Sequence, residues 1–513
     1  MSDNGAAAAL PPQHAANSVR VRRLGIDTQY EAIIFMHKDC RVCRSEGFAA
    51  QTRVLLKANG RRVIATLYQI TSPLVSPDEA ILSESAWKRL ALKDGEHISI
   101  GHPPPLDSLS HLRSRIYGND LSEPAFHAII GDIVDGQYSD IHLSSFLTAC
   151  ASPPLNHQEV LALTHAMVEA GDRLKWPAGT VADKHSVGGL PGNRTTPIIV
   201  SIVAALGIMM PKTSSRAITS PAGTADTMET MAPVDLDNDA IRRVVEREAG
   251  CIVWGGAINL SPADDILIRV ERALDIDSEG QMIASVLSKK IAASSTHVVL
   301  DLPVGPTAKV RTARAAQQLA DGLANVGAEF GLKTRIVPGD GLQPIGRGIG
   351  PALEARDVLQ VLRGEPAAPQ DLRQRALALA AALLELTEAC PAGRGEAIAV
   401  DVLDSGRAWR KFQRICEAQG GMRTPPVSRQ QRPVLAERPG KVRAIDNRRI
   451  ARLAKLAGAP DDKAAGVDMH VRVGDLVASG QPLCTVHADS PGELAYAFDF
   501  AAANRDIIAI GEP

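Results

Sequence analysis

Residues 183–196 constrain this chain more than any other segment. They read Asp183-Lys184-His185-Ser186-Val187-Gly188-Gly189-Leu190-Pro191-Gly192-Asn193-Arg194-Thr195-Thr196, and a helix-like apolar run follows from Pro197. Glycines let backbone N–H groups approach an oxyanion closely, and a helix start behind them adds a favourable dipole. Lys184 supplies a point charge, while Ser186, Thr195 and Thr196 supply hydroxyl donors. The spacing G-x-x-x-x-G-K-[ST] is missing, so this is not a Walker loop. Taken alone, the segment reads either as an anion cradle or as a structural glycine turn.

A second loop tips that balance. Residues 212–226 hold six hydroxyls with Lys212 and Arg216, about thirty residues after the first loop. One helix and one return strand fit the interval and bring both loops to the same sheet edge. Open α/β sheets bind ligands there, beyond the strand C-termini. The flanking pattern agrees: 201–208 and 239–248 read as helices, 251–254 as a buried strand, and 297–302 as a central strand. A third segment, Ser285-Val286-Leu287-Ser288-Lys289-Lys290, places Ser285 and Lys289 on one helical face.

The rest of the chain divides around this core. An Ala-, Pro- and Asn-rich stretch predicts a disordered tail over 1–18. Short β-prone runs at 32–36 and 62–67 predict a β-rich, barrel-like domain over 19–100, which His102-Pro103-Pro104-Pro105 ends. A helical domain is expected over 106–176 and 262–292, with helices at 124–135 and 157–170 and Asn156 as an N-cap. The α/β domain takes 177–261 and 293–420. A C-terminal α+β module takes 435–513, in which 471–486 reads as two strands around a Gly turn. The fold class is α/β with a helical domain.

Composition excludes several functions. A formal net charge of −2 gives no global attraction to nucleic acid or an anionic membrane, so any anion needs a local site. No apolar run reaches bilayer-spanning length. Seven scattered cysteines suit reduced thiols and a cytoplasmic location. Cys40 and Cys43, with His37 upstream, fit either the seed of a metal site or a solvent-edge hairpin with two free thiols, and the second reading is preferred.

Three motifs in order carry a specific resemblance: Lys184-His185-Ser186-x-Gly188-Gly189, then Ser214-Ser215-Arg216 through Gly223-Thr224-x-Asp226-x-x-Glu229, then Ser285-x-Leu287-Ser288-Lys289-Lys290. From about Leu109 onward the chain resembles the thymidine/pyrimidine-nucleoside phosphorylase family. The N-terminal β domain, the insertion Pro191-Gly192-Asn193-Arg194 and the run 215–220 resemble its longer branch, which includes type 2 thymidine phosphorylases and AMP phosphorylases.

That resemblance implies a helical domain and a larger α/β domain closing over a cleft, in a homodimer or higher homo-oligomer. It implies phosphorolysis of thymidine or a related pyrimidine nucleoside, with a nucleoside 5′-monophosphate as the alternative substrate. Inorganic phosphate is the co-substrate, with no cofactor and no metal. The family's phosphate site maps onto Lys184, Ser186, Thr196, Ser214 and Thr224, and His185 onto a histidine near sugar and base. Ser285 and Lys289 match base-contacting positions. In the AMP-phosphorylase branch the ligand positions correspond to Gly189, Ser215 with Arg216 through Ser220, Thr224, Ser285 and Lys309, with Asp277 as proton donor. Two departures weaken the carry-over of pyrimidine specificity: Thr219-Ser220-Pro221 replaces a Gly-His-Thr tripeptide, and Arg272 matches the base-binding arginine only across a one-residue shift.

Overall fold

A computed structural model describes residues 17–28, 31–177, 179–217, 220–274, 276 and 278–512. The tail expected over 1–18 falls outside these up to residue 16, and Ser18 already opens the first strand, Ser18–Ile26. The chain forms two compact units, the first ending at Ser114 but also taking Gly131–Ser145, the second holding the remainder.

The first unit is built on a closed six-stranded barrel. Its apolar residues alternate along the strands, so Val19, Val21, Val54, Leu56, Ile98 and Ile100 all face one core. Closure leaves no exposed strand edge. The Cys40/Cys43 segment corrects the hairpin expectation. Cys40 is the N-cap of the short helix Arg41–Glu46, Cys43 lies inside it, and both thiols are buried. Cys43 Sγ sits 4.0 Å from Met36 Sδ, packed as a small hydrophobe.

The second unit contains a parallel sheet. The strand His297–Val304 pairs with Lys333–Asp340 on one side and Ala182–Ser186 on the other. Met210–Ser214 pairs with Gly250–Trp254, and the two groups join at a single parallel bridge between Val181 and Met209. The first of these strands in the chain therefore lies between the second and the fourth. Connections leave in opposite directions from Ala182–Ser186 and His297–Val304, which creates a topological switch point at their C-terminal ends. The helix Thr196–Ala205 is buried all round and anchors the core with helices Pro351–Arg363 and Gln370–Leu386.

The helices before the sheet follow the sequence signals. Asn156 caps His157–Glu169 in a full capping box, with Glu159 returning to the Asn156 N–H. The helix Glu279–Ala292 packs beside it and carries the third motif. Among the described residues, no helix is long and apolar enough to cross a membrane.

The C-terminal region carries both expected strands, one on each side of Gly480. The strands Leu476–Val477 and Pro482–Ala488 do not pair with each other. The first joins Gly440–Ile445, and the second runs between Gly466–Met469 and Gln430–Leu435. Both faces bury apolar residues in one core, which includes Val442, Val467 and Val486. The alternating pattern carries this burial but not the identity of the partner strand.

Candidate active site

The site grows from the end of Ala182–Ser186. Backbone register places Ser186 opposite Asp301 and Lys184 opposite Val299, so Lys184 and Asp301 project from the same face. Lys184 is fully buried, with Nζ 3.5 Å from Asp301 Oδ2 and donating to Thr195 Oγ1 at 2.9 Å. Asp301 also accepts from Asn193 Nδ2 at 2.8 Å and from Arg375 Nε at 3.1 Å. Burial lowers the Lys184 pKa to about 8; Asp301 opposes the fall, and Arg194 and Arg375 add to it.

The loop after Ser186 needs its glycines. Gly188, Gly189 and Gly192 all have positive φ. A Cβ on Gly189 would lie 2.2 Å from the Lys309 backbone N, so only glycine lets the two switch-point loops meet. Thr195 and Thr196, both buried, then start the next helix, with Pro197 in its first turn.

The second loop is fixed by Asp226. Its Oδ2 accepts from the N–H groups of Ala217 at 2.6 Å and Gly223 at 2.9 Å. Ser214 ends its strand, Thr224 opens the next helix, and the Ser215 carbonyl accepts from the Ala225 N–H at 3.4 Å. Ser220 Oγ donates to the Ala222 carbonyl at 2.9 Å. Arg216 is held from several sides. Its two terminal nitrogens donate to the two Glu229 oxygens at 2.8 Å each, and its guanidinium lies 4.9 Å from the Trp254 ring. The Arg216 hydrogen bonds lower the Glu229 pKa to about 2. Lys463 adds ion pairs to Asp226 at 3.3 Å and Glu229 at 3.1 Å.

Beneath the loops lies a lysine cluster. Asp183, buried, accepts Lys212 Nζ at 3.0 Å and lies 2.8 Å from Lys290 Nζ. Burial alone would raise the Asp183 pKa; the two lysines outweigh it and hold the carboxyl ionised. His185 titrates well below its usual range because of burial, reinforced by Lys290, Lys212, Lys289 and Lys184. It is therefore a neutral imidazole with one N–H to offer. On the helix Glu279–Ala292, Lys289 ion-pairs with Asp264, and Ser285 lies one turn earlier, partly exposed.

The structure thus brings Lys184 and Ser186 into one hydrogen-bonded group and sets Gly189 against Lys309. Arg216 is engaged by Glu229 at the end of the following helix, and Ser220 within its own loop. Asp277 lies outside the described residues, as does the side chain of Arg272. Asp301 escaped the sequence reading, while Asn193, Arg194, Lys212 and Lys290 stood in its motifs without the partners that hold them. Asp301 left one signal, a carboxylate inside the apolar strand His297–Val304.

The comparisons agree over most of the chain. Residues 109–171 match the helical bundle domain of the glycosyl transferase family, and residues 178–409 match its a/b domain. Residues 441–507 match the pyrimidine nucleoside phosphorylase C-terminal domain. Two proteins named "Putative thymidine phosphorylase" are close relatives. The Polaromonas sp. protein is 60% identical over 97% of each chain. The Sphingopyxis alaskensis protein is 58% identical, again over 97% of each. Anthranilate phosphoribosyltransferase from Saccharomyces cerevisiae, solved with PRPP and Mg, shares the fold. Its TM-score is 0.50 at 17% identity, over 61% of this chain and 98% of that one. With a helical bundle, an α/β domain and this degree of identity over nearly its full length, the chain is a pentosyltransferase and belongs to the thymidine phosphorylase family.

Proposed function

We propose that this enzyme cleaves thymidine or a related pyrimidine nucleoside with inorganic phosphate, giving the free base and (deoxy)ribose 1-phosphate. The phosphate lies at the switch-point edge, where Lys184 contributes charge and Ser186, Thr196, Ser214 and Thr224 contribute hydroxyls. Displacement at the anomeric carbon passes through an oxocarbenium-like state, so catalysis is positioning and electrostatics. Neutral His185 donates toward the departing base, and Ser285 and Lys289 orient that base.

One observation favours a nucleoside over a nucleoside 5′-monophosphate. The fork of Arg216, which lies within the 215–220 loop, is taken bidentately by Glu229. A 5′-phosphate there would have to break that pair. Release of sugar 1-phosphate from thymidine, uridine, AMP and CMP by the purified enzyme tests the choice. Thymidine or uridine should turn over far faster, and Arg216→Lys should leave that preference in place. Efficient cleavage of AMP or CMP with neglect of thymidine and uridine would reverse it.

A further inference from the structure

Arg194 lies in the segment joining the strand Ala182–Ser186 to the helix Thr196–Ala205, and its side chain is only 12% exposed. Each of its three nitrogens makes a hydrogen bond. Nε donates to Glu354 Oε2 at 2.6 Å, Nη1 to Thr224 Oγ1 at 2.6 Å, and Nη2 to the Ala222 carbonyl at 2.8 Å. Glu354 is buried and is itself fixed by the Gly350 N–H and the Thr227 hydroxyl, each at 3.3 Å. Its carboxylate neutralises the guanidinium, so Arg194 has little charge to spare for an anion. What remains is a rigid, planar fork in a set orientation.

A hydroxyl has one proton and two lone pairs. Because Thr224 Oγ1 accepts from a cation on one side, its own proton points elsewhere. Acceptance from a charged donor also strengthens the bond the hydroxyl donates. Lys184 treats Thr195 Oγ1 in the same way at 2.9 Å. The two cations each orient one threonine beside the same loops.

We propose that Arg194 is a positioning residue for inorganic phosphate: locked by Glu354, it makes the Thr224 hydroxyl an obligate donor to the anion. This rests on the assignment of phosphate to the switch-point loops. Arg194 then acts through Thr224 alone, on phosphate and not on the nucleoside.

The test is a mutant cycle in the full-length enzyme. Arg194→Met would strand the buried Glu354 carboxylate, so it is combined with Glu354→Gln. Thr224→Val removes the hydroxyl, and the triple variant closes the cycle. Calorimetry with inorganic phosphate alone gives Kd, and turnover of thymidine and uridine gives the KM for each reactant. The Arg194→Met/Glu354→Gln pair and Thr224→Val should each weaken phosphate roughly ten- to a hundredfold, the worth of a hydrogen bond to a charged group. The nucleoside KM should stay unchanged, and the triple variant should bind phosphate no more weakly than Thr224→Val alone. Additive losses, an unchanged phosphate Kd in the folded pair, or a shift in nucleoside KM would overturn the proposal. If the pair does not fold, Arg194→Lys, which keeps Glu354 neutralised but loses the fork, is read in the same cycle. If wild-type enzyme cleaves neither nucleoside, the substrate reading fails, while calorimetric phosphate binding still judges Arg194.

Discussion

Lys184 and Asp301 face each other across adjacent parallel strands, 3.5 Å apart and both buried, and the same carboxylate also holds Arg375. One carboxylate shared by two cations leaves a positive excess at a buried position. Such an excess is costly until an anion arrives.

The phosphate KM should therefore carry an alkaline limb. Lys184 binds an anion only while protonated, and its pKa is lowered to about 8. Below that pH the KM, expressed for the phosphate dianion, should be flat. Above it, the KM should climb by about tenfold per pH unit as the proton is lost. Asp301 supports the proton, so Asp301→Asn should move the limb to lower pH. Initial rates across the alkaline range check both, and a flat profile would remove Lys184 from the phosphate site.

Lys184→Met should raise the phosphate KM roughly ten- to a hundredfold, as loss of a charge-assisted contact implies. Circular dichroism and thermal melts should show the fold retained. Unchanged phosphate kinetics in the folded variant would refute the assignment.

His185 should contribute no acid limb near its ordinary pKa, since burial and four lysines keep it neutral well below that value. His185→Gln should lower kcat by about 10²–10⁴, the usual worth of a placed proton donor, with little effect on the phosphate KM. A limb in kcat near pH 6.5 that vanishes in the mutant would contradict this.

Gly189→Ala should be severe. The added Cβ meets the Lys309 backbone N at 2.2 Å, and the backbone there has φ +80°. Activity should fall by far more than in Gly188→Ala, where a Cβ meets nothing within 4 Å, although both positions have positive φ. Parallel assays of the two variants separate close approach from backbone strain.

Divalent metal should be dispensable, because Lys184 and the loop hydroxyls meet the phosphate charge. Rates measured after exhaustive chelation should equal those before. Abolition by chelator and restoration by Mg²⁺ or Zn²⁺ would argue against the site as assigned.

Much of this was legible in the chain. The hydroxyl-rich loops are local, and their thirty-residue spacing carried the shared sheet edge. Asn156 announced its helix as an N-cap. The partners that tune the site were hidden, because Asp301 and Glu354 meet Lys184 and Arg194 from more than a hundred residues away. Nothing local marks such a pairing. Arg216 was misleading for a different reason, since its partner lies nearby in sequence. A cation in a hydroxyl-rich loop looks available until Glu229, thirteen residues later, is seen to occupy it. At 471–486 the alternation was real, yet period two does not name a partner strand.

The single Val181–Met209 bridge has a mechanical meaning. Ser186 and Thr196 follow from the half of the sheet on one side of that seam, and Ser214 and Thr224 from the other. An anion gripped by hydroxyls from both halves would act as a keystone. In the proposed complex, inorganic phosphate is mortar as well as reagent, and the enzyme should be a stiffer body when loaded than when empty.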